Sequence, residues 1–308
     1  MVNTIFFYGI KSFFNTYGYL GDDMNFKVGD YVTRNSYEND IVFIIVDIKD
    51  KIAILKGFNL RLVADSPLSD LVLCDEEERT DDFLESLELD IDINEDRGDS
   101  EYFYLPPRIL HLDGDNDYLE KCLKFYKKNR VMAFGRTINE KDLEKKIIPL
   151  LDDIKPDILI VTGHDSFNKK NNDIHDIKNY KNSLNFIKAV KEARKYEKSH
   201  EKLVIIAGAC QSNYEELIKA GADFASSPKR VNIHALDPAI IATTLSLTER
   251  NKEIDLIKLL EKTKYGKDGM GGLKVNGLMY VGYPRWKQYI KLKNLLGQIM
   301  GEEYLLKY

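Results

Sequence analysis

The sequence has few cysteines, no long apolar run and no excess of basic residues, and each absence narrows the possible functions. Its 308 residues contain three cysteines (Cys74, Cys122 and Cys210), which cannot all pair, and none lies in a CxxC motif. A reducing, intracellular setting is the simplest interpretation. No apolar run approaches the roughly 20 residues that a membrane span needs. The net charge of −5 argues against a general nucleic-acid binder. We therefore expect neither a membrane nor a nucleic-acid partner.

The residue pattern changes along the chain and predicts four regions. Residues 1–25 are apolar and aromatic but lack the features of a secretion signal, so they are predicted to be an N-terminal extension. Residues 26–74 carry β-branched residues in partial alternation between turn signals, which predicts a small, barrel-like β domain. Residues 75–106 open with a long acidic run typical of a solvated linker. Residues 107–308 are predicted to form an α/β domain with a glycine-rich loop and a C-terminal helix.

From Pro107 onward, predicted strands alternate with predicted helices. Four strands are indicated by RILHLD, VMAFGRTI, DILIVTG and KLVIIAG, and each is followed by a helical pattern. The runs DILIV and LVIIAG are apolar on both faces, as strands buried under two helix layers must be. The alternation predicts a three-layer α/β fold with an open parallel sheet. Further helices are predicted at AIIATTLSLTE, at residues 251–266 and near Arg285–Gln298.

Two predicted strands end in residues that are competent for nucleophilic chemistry. His164 follows the third strand in DILIVTGHD, and Cys210 follows the fourth in KLVIIAGAC. Because functional groups gather beyond the carboxyl ends of parallel strands, we expect the two side chains on the same sheet edge. A nearby imidazole can take the proton of a thiol and later protonate a leaving amine. The sequence therefore predicts Cys210 as a nucleophile and His164 as its general acid and base.

These two motifs resemble those of the caspase, gingipain, clostripain and legumain type of cysteine peptidase. That resemblance implies a caspase-like fold for the α/β region. Asp165 stands where those peptidases usually have a glycine whose backbone N–H contributes to the oxyanion hole. The sequence therefore departs from the pattern at one of the expected oxyanion donors.

A longer set of motifs resembles the YabG family of sporulation-specific cysteine peptidases from spore-forming Firmicutes. It comprises VGDYVTR, AILKGFNLRLVADSPLSDL, ILHLDGD, DILIVTGHD, AGACQSNYE, AGADFASSPKRVNIHALDP and TKYGKDGMGGLKVNGLMYVGYPR. The resemblance implies an endopeptidase without a cofactor that processes spore coat and germination proteins after arginine and can cleave itself. It also implies a location in the mother-cell cytoplasm and association with the forming coat. The family's catalytic cysteine maps onto Cys210.

Other residues compete for the role of base or serve a substrate arginine. His111, at the end of the first strand, is the main alternative to His164, and His234 is a weaker one. A guanidinium calls for a carboxylate that pairs with it through two hydrogen bonds. The acids at the predicted strand ends are Asp113, Asp115, Asp165 and Asp237. We expect Asp113 to be the partner of the substrate arginine, with Asp237 as the second candidate and Asp165 as a further substrate-binding acid.

Two other functional classes remain open at this point. The pair Asp113 and Asp115 is spaced like the DxD of metal-dependent phosphatases, which leaves a phosphate-handling hydrolase as one alternative. A non-enzymatic scaffold for spore-coat assembly is the other. No set of histidine, cysteine and carboxylate residues has convincing metal-ligand spacing, so we predict no metal site.

Overall fold

A computed structural model describes residues 26–74, 83, 87, 102–168 and 173–284 of the chain. The predicted N-terminal extension at 1–25, most of the acidic run, and the helix predicted near Arg285–Gln298 lie outside the described residues. No helix in the described part is long and apolar enough to cross a bilayer.

The N-terminal part is an antiparallel sheet of five short strands. Its strand order is β4-β3-β2-β1-β5. Alternate residues face one small core, formed by Val32, Phe43, Ile45, Ala53, Leu55 and Leu71. The outer strands β4 and β5 are not paired with each other, so the described strands form an open sheet and not the closed barrel that the pattern allowed. The strands are β1 (Tyr31–Arg34), β2 (Phe43–Lys49), β3 (Ile52–Gly57), β4 (Val63–Pro67) and β5 (Leu71–Leu73).

The predicted alternation of strands and helices is confirmed between residues 109 and 226. The six-stranded sheet has the order β12-β11-β10-β9-β7-β8, where β12 is Met270–Gly272. All neighbouring strands are parallel except β12, which runs antiparallel to β11. The elements are β7 (Ile109–Asp113), α1 (Asn116–Lys128), β8 (Ala133–Thr137), α2 (Leu143–Ile154), β9 (Ile158–Thr162), α3 (Ser183–Tyr196), β10 (Val204–Ala207), α4 (Tyr214–Ala220) and β11 (Phe224–Ser226).

Helices cover both faces of this sheet, as its doubly apolar strands require. Along β9, Ile158 and Ile160 pack with α1 and with α5 (Asp237–Leu247) in one core. Leu159 and Val161 pack with α2, α3 and α4 in a second core. Since successive strand residues point to opposite faces, one apolar run supplies both cores. The described α/β region therefore has three layers.

The remaining elements include a correction to the predicted helix over residues 251–266. The structure has only α6 (Leu256–Glu261) and a single turn, α7 (Gly266–Gly269), in that range. The Asp255 carboxylate accepts hydrogen bonds from two backbone N–H groups of the first turn, so the helix begins there, and Glu253 instead bridges to Asn276 as extended chain. Two short strands, β6 (Phe103–Leu105) and β13 (Tyr280–Gly282), pair antiparallel, and β12 (Met270–Gly272) completes the larger sheet.

Candidate active site

The register of the parallel sheet brings three polar residues side by side at its carboxyl edge. Val161 of β9 pairs with Ala207 of β10, and His164 and Cys210 each lie three residues beyond that pair. On the other side of β9, Asp113 of β7 pairs with Thr162, and Asp115 and His164 each lie two residues further on. The sheet edge therefore presents Asp115, His164 and Cys210 on three neighbouring strands.

The imidazole of His164 is oriented by a carboxylate. Its Nε2 lies 2.9 Å from Oδ2 of Asp115, and since a carboxylate can only accept, Nε2–H is the donor. The His164 backbone is held as well, because its N–H donates to Oε1 of Glu140 at 2.8 Å and its carbonyl accepts from Asn182 at 2.8 Å. Nδ1 has no hydrogen-bond partner among the described residues. In the neutral ring Nδ1 is therefore the basic nitrogen.

Glu140 explains two glycines around the histidine. Its carboxylate is buried between the loops that follow β7 and β9. A Cβ atom added at Gly114 or Gly163 would collide with Oε1 of Glu140. Both positions therefore need glycine so that Glu140 can reach the backbone N–H of His164.

The Cys210 thiol is covered in this structure. Its residue is 1% exposed, and Sγ accepts a hydrogen bond from the backbone N–H of Ile233 at 3.2 Å. Burial raises the pKa of Cys210 to about 12, although the Ile233 N–H and the charge of Arg61 act against that rise. The thiol is therefore protonated at neutral pH, and it is hydrogen-bonded to Ile233 and not to His164.

The backbone turns sharply where Cys210 follows β10. Gly208 and Gln211 both have positive φ, at 106° and 58°, so the chain turns sharply between β10 and α4. The Gln211 N–H is used internally, by Val231 and Ser227. The N–H groups of Cys210 and Asp165 have no acceptor among the described residues, which leaves both available to an incoming oxygen.

The three predicted arginine-binding acids are all buried and engaged within the protein. Asp113 accepts from Arg61 at 2.6 Å, Thr162 at 2.9 Å and the Asp115 N–H at 2.9 Å. Asp165 accepts from four groups: the side chains of Ser183 and Ser212 and two backbone N–H groups. Among the described residues, Asp237 accepts from two groups, the backbone N–H groups of residues 234 and 264. Burial raises the pKa of Asp165 and of Asp237.

The two alternative histidines have internal roles. His111 is fully buried, with Nδ1 3.0 Å from the Tyr126 hydroxyl and Nε2 3.0 Å from the Thr162 hydroxyl, so both nitrogens are occupied. In His234, Nδ1 accepts from the Leu236 N–H and the ring packs against Phe83 at a centroid distance of 4.9 Å. Neither has the arrangement found at His164.

Three features of the site were not predicted from the sequence: the role of Asp115 beside His164, and the contacts of Lys56 and Ile233. Asp115 was considered as a ligand for arginine or phosphate, and its place behind His164 was not foreseen. Lys56 of β3 donates to Asp115, and Ile233 holds the cysteine sulfur. Asp115 lies two residues past β7, just as His164 lies two residues past β9, and this equivalence could have indicated that the two side chains are neighbours. Among the described residues, no group of three or more His, Cys, Asp or Glu side chains is arranged to hold a metal ion.

The fold and site define a class: an α/β protein whose reactive groups converge at the carboxyl edge of a parallel sheet, as in many enzymes. The family model described as YabG peptidase U57 matches residues 27–90 and 85–284. The chain is also 41% identical over 286 residues to the sporulation-specific protease YabG of Bacillus subtilis (strain 168), covering 85% of this chain and 99% of that protein. No solved structure matches the chain significantly. The chain belongs to the YabG peptidase family and is a peptidase, a hydrolase.

Proposed function

We propose that the chain is a cysteine endopeptidase in which Cys210 is the nucleophile, His164 the general acid and base, and Asp115 the group that orients His164. The observation that carries the proposal is the sheet register, which sets the three residues on adjacent strands β7, β9 and β10. Membership of a peptidase family supports a hydrolytic role for this edge over a phosphate-handling or purely structural one. A caspase-like fold remains part of the proposal, supported by the parallel sheet and its helix layers.

The chemistry follows from which nitrogen is free. With Nε2–H donating to Asp115, Nδ1 of His164 takes the proton from the Cys210 thiol as the sulfur attacks the peptide carbonyl. The N–H groups of Cys210 and Asp165 stabilise the oxyanion. The C–N bond then breaks, and His164 gives the proton to the leaving amine. Water hydrolyses the thioester with the same base, which restores the thiol.

The covered thiol implies a step before chemistry. Cys210 is 1% exposed and bound to Ile233, so the sulfur must leave this contact to reach a substrate. The resting protein is therefore expected to hold a weakly reactive thiol, and substrate binding is expected to complete the site. The absence of a hydrogen bond between Cys210 and His164 in the resting geometry fits the same sequence of events.

Substitution at the reacting groups tests this mechanism. Cys210→Ala and His164→Ala are each expected to abolish cleavage of a protein or peptide substrate. Cys74→Ala is the matched control, because Cys74 is also a buried cysteine but lies at the end of β5. His111→Ala, compared at equal folded content by circular dichroism, tests the alternative base. Full proteolysis by Cys210→Ala would overturn the cysteine mechanism.

We propose arginine as the residue before the cleaved bond, with Asp237 as its carboxylate partner. An ionised carboxylate has about four acceptor sites. Asp165 already uses four and Asp113 at least three, whereas Asp237 uses two.

A panel of peptide amides tests that assignment. Peptides with arginine, lysine or leucine at the cleaved position are compared for wild type, Asp237→Asn and Asp268→Asn. Loss of a charge-assisted pair of about 1.5–3 kcal/mol predicts a fall of about 10- to 150-fold in kcat/KM for the arginyl peptide only. Asp268 is exposed in α7 and is the control. An equal fall for the leucyl peptide would argue against a specificity role.

The proposed substrates are spore coat and germination proteins, processed during sporulation, with cleavage of the chain itself as a further activity. The name of the Bacillus subtilis relative, a sporulation-specific protease, supports this setting. Mass spectrometry of stored wild type and Cys210→Ala tests self-cleavage. We expect fragments only in the wild type, and fragments of the same masses in both would point to another protease.

A further inference from the structure

We propose that the N-terminal β-sheet belongs to the catalytic apparatus and that Lys56 of β3 is a positioning residue for His164, acting through Asp115. This inference rests on the proposed cysteine peptidase mechanism. It concerns a residue far from the α/β region in sequence, since Lys56 and Asp115 are 59 positions apart.

The contacts of Asp115 divide cleanly between its two oxygens. Oδ1 accepts from Lys56 Nζ at 2.7 Å, from the Asp117 N–H at 3.0 Å and from the Tyr118 N–H at 3.3 Å. Oδ2 accepts from His164 Nε2 at 2.9 Å. Lys56 and the start of α1 thus fix one oxygen, and the other is presented to the imidazole. Without Lys56 the carboxylate keeps its cap to α1 but loses the one lysine or arginine that pairs with it among the described residues.

The alternation of buried and half-buried residues along β3 places the Lys56 side chain on the face that contacts the α/β region. Buried residues Ala53, Leu55 and Gly57 alternate with half-buried Ile52, Ile54 and Lys56. Lys56 therefore points away from the core of its own sheet. Its side chain is only 14% exposed and lies 4.9 Å from the Tyr118 ring centroid. A lysine this covered needs an anionic partner, and Asp115 and the exposed Asp117 supply two.

The same sheet also holds the cysteine side of the site. In the turn between β3 and β4, the Arg61 N–H donates to the Ile233 carbonyl at 3.1 Å, and the Ala235 N–H donates to the Asn59 carbonyl at 2.8 Å. Ile233 in turn donates to Cys210 Sγ at 3.2 Å. One strand and its turn therefore contact the backbone partner of Cys210 as well as the carboxylate partner of His164.

The charge of Lys56 bears on the proton chemistry. Burial works to raise the pKa of Asp115, but the hydrogen bonds from His164 and Lys56 outweigh it and hold that pKa below its ordinary value. Removing the Lys56 charge takes away positive charge that opposes protonation of the imidazole beside Asp115. The acidic limb of kcat/KM should then move to higher pH. Among the described residues, the titratable and charged groups around the pair are Lys56, Arg61, Asp113, Asp117, Tyr118, Glu140 and Cys210.

The test compares Lys56→Met and Lys56→Arg with Lys121→Met in the full chain. Lys121 of α1 also joins the two sheets, through the Phe58 carbonyl and ring, but it touches none of Asp115, His164 or Cys210. With the peptide amide that wild type cleaves fastest, we expect Lys56→Met to lower kcat about tenfold with KM nearly unchanged. We expect the acidic limb of its pH profile to shift upward, and Lys56→Arg to recover most of the rate. Lys121→Met should match wild type in both.

A double-mutant cycle decides whether Lys56 acts through Asp115. In an Asp115→Asn background, Lys56→Met should cost less than twofold in kcat, because the group it positions is already lost. A full tenfold loss in that background, or an equal loss in Lys121→Met, would overturn the proposal. This outcome can be distinguished from failure of the mechanism itself. If Cys210→Ala and His164→Ala are inactive while Lys56→Met has normal activity, only the role of Lys56 is refuted.

Discussion

Replacement of Asp115 by asparagine isolates the charge behind His164 from the other work of this side chain. Asparagine caps helices about as well as aspartate, so the bonds to the N–H groups of Asp117 and Tyr118 should survive. What changes is the negative charge that faces His164 Nε2 at 2.9 Å. A hydrogen bond to a charged group contributes about 1.5–3 kcal/mol. If that energy is used to hold the imidazole and stabilise its protonated form, kcat should fall about 10- to 150-fold.

The assay measures kcat, KM and urea unfolding for Asp115→Asn, Asp115→Ala and Asp255→Ala. Asp255 caps α6 with the same spacing, accepting from N–H groups two and three residues on, and it lies outside the site. Both alanine variants should lose about 1 kcal/mol of stability from the missing cap. Only the Asp115 variants should lose turnover, with KM nearly constant because Asp115 is not proposed to touch substrate. Activity of Asp115→Asn within twofold of wild type would refute the orienting role.

Three further outcomes follow from the buried charges. Arg61→Met should destabilise the protein by about 3–5 kcal/mol in urea unfolding, since it leaves Asp113 buried and unpaired, and a loss below 1 kcal/mol would contradict this. Burial opposes ionisation of Asp113, but the Arg61 charge lowers its pKa from 3.8 to about 2, so its stabilising contribution is present above pH 4 and lost as pH falls toward 2. Asp113→Asn should flatten that acid loss in pH-dependent unfolding. Because burial raises the pKa of Cys210 to about 12, its alkylation by iodoacetamide should still be rising at pH 9, and a plateau near pH 7 would show an ionised thiol.

The sheet edge was predictable because its signals are local. Apolar runs bounded by glycine indicate buried parallel strands, and such strands place whatever follows them on one edge. Short motifs alone therefore predict His164 and Cys210 at the same sheet edge. The structure adds that they lie at equivalent positions beyond a paired Val161 and Ala207.

The partners of those residues were not predictable in the same way. Asp113 resembled a free strand-end acid, but it pairs with Arg61, 52 positions away in a different sheet. Lys56 also reaches the site only because the two sheets dock, and no periodicity in β3 reports that docking. Ile233 reaches Cys210 from the loop between β11 and α5, which also has no periodic pattern. The helix predicted over residues 251–266 was too long for a related reason: Glu253 bridges to Asn276, a long-range contact that overrides local helical preference.

The three cysteines offer a way to separate movement of the N-terminal sheet from unfolding of the chain. Cys210 is covered by Ile233, whose carbonyl accepts from the Arg61 N–H in the turn after β3. Cys122 contacts Arg61 and Ala235 of the same region, whereas Cys74 is buried at the end of β5. A substitution that only loosens the turn, such as Asn59→Gly, should speed alkylation of Cys210 and leave Cys74 slow. Peptide mapping after timed alkylation distinguishes the three sites. Equal acceleration at Cys210 and Cys74 would indicate global opening and would remove the turn as the element that holds the cover over Cys210.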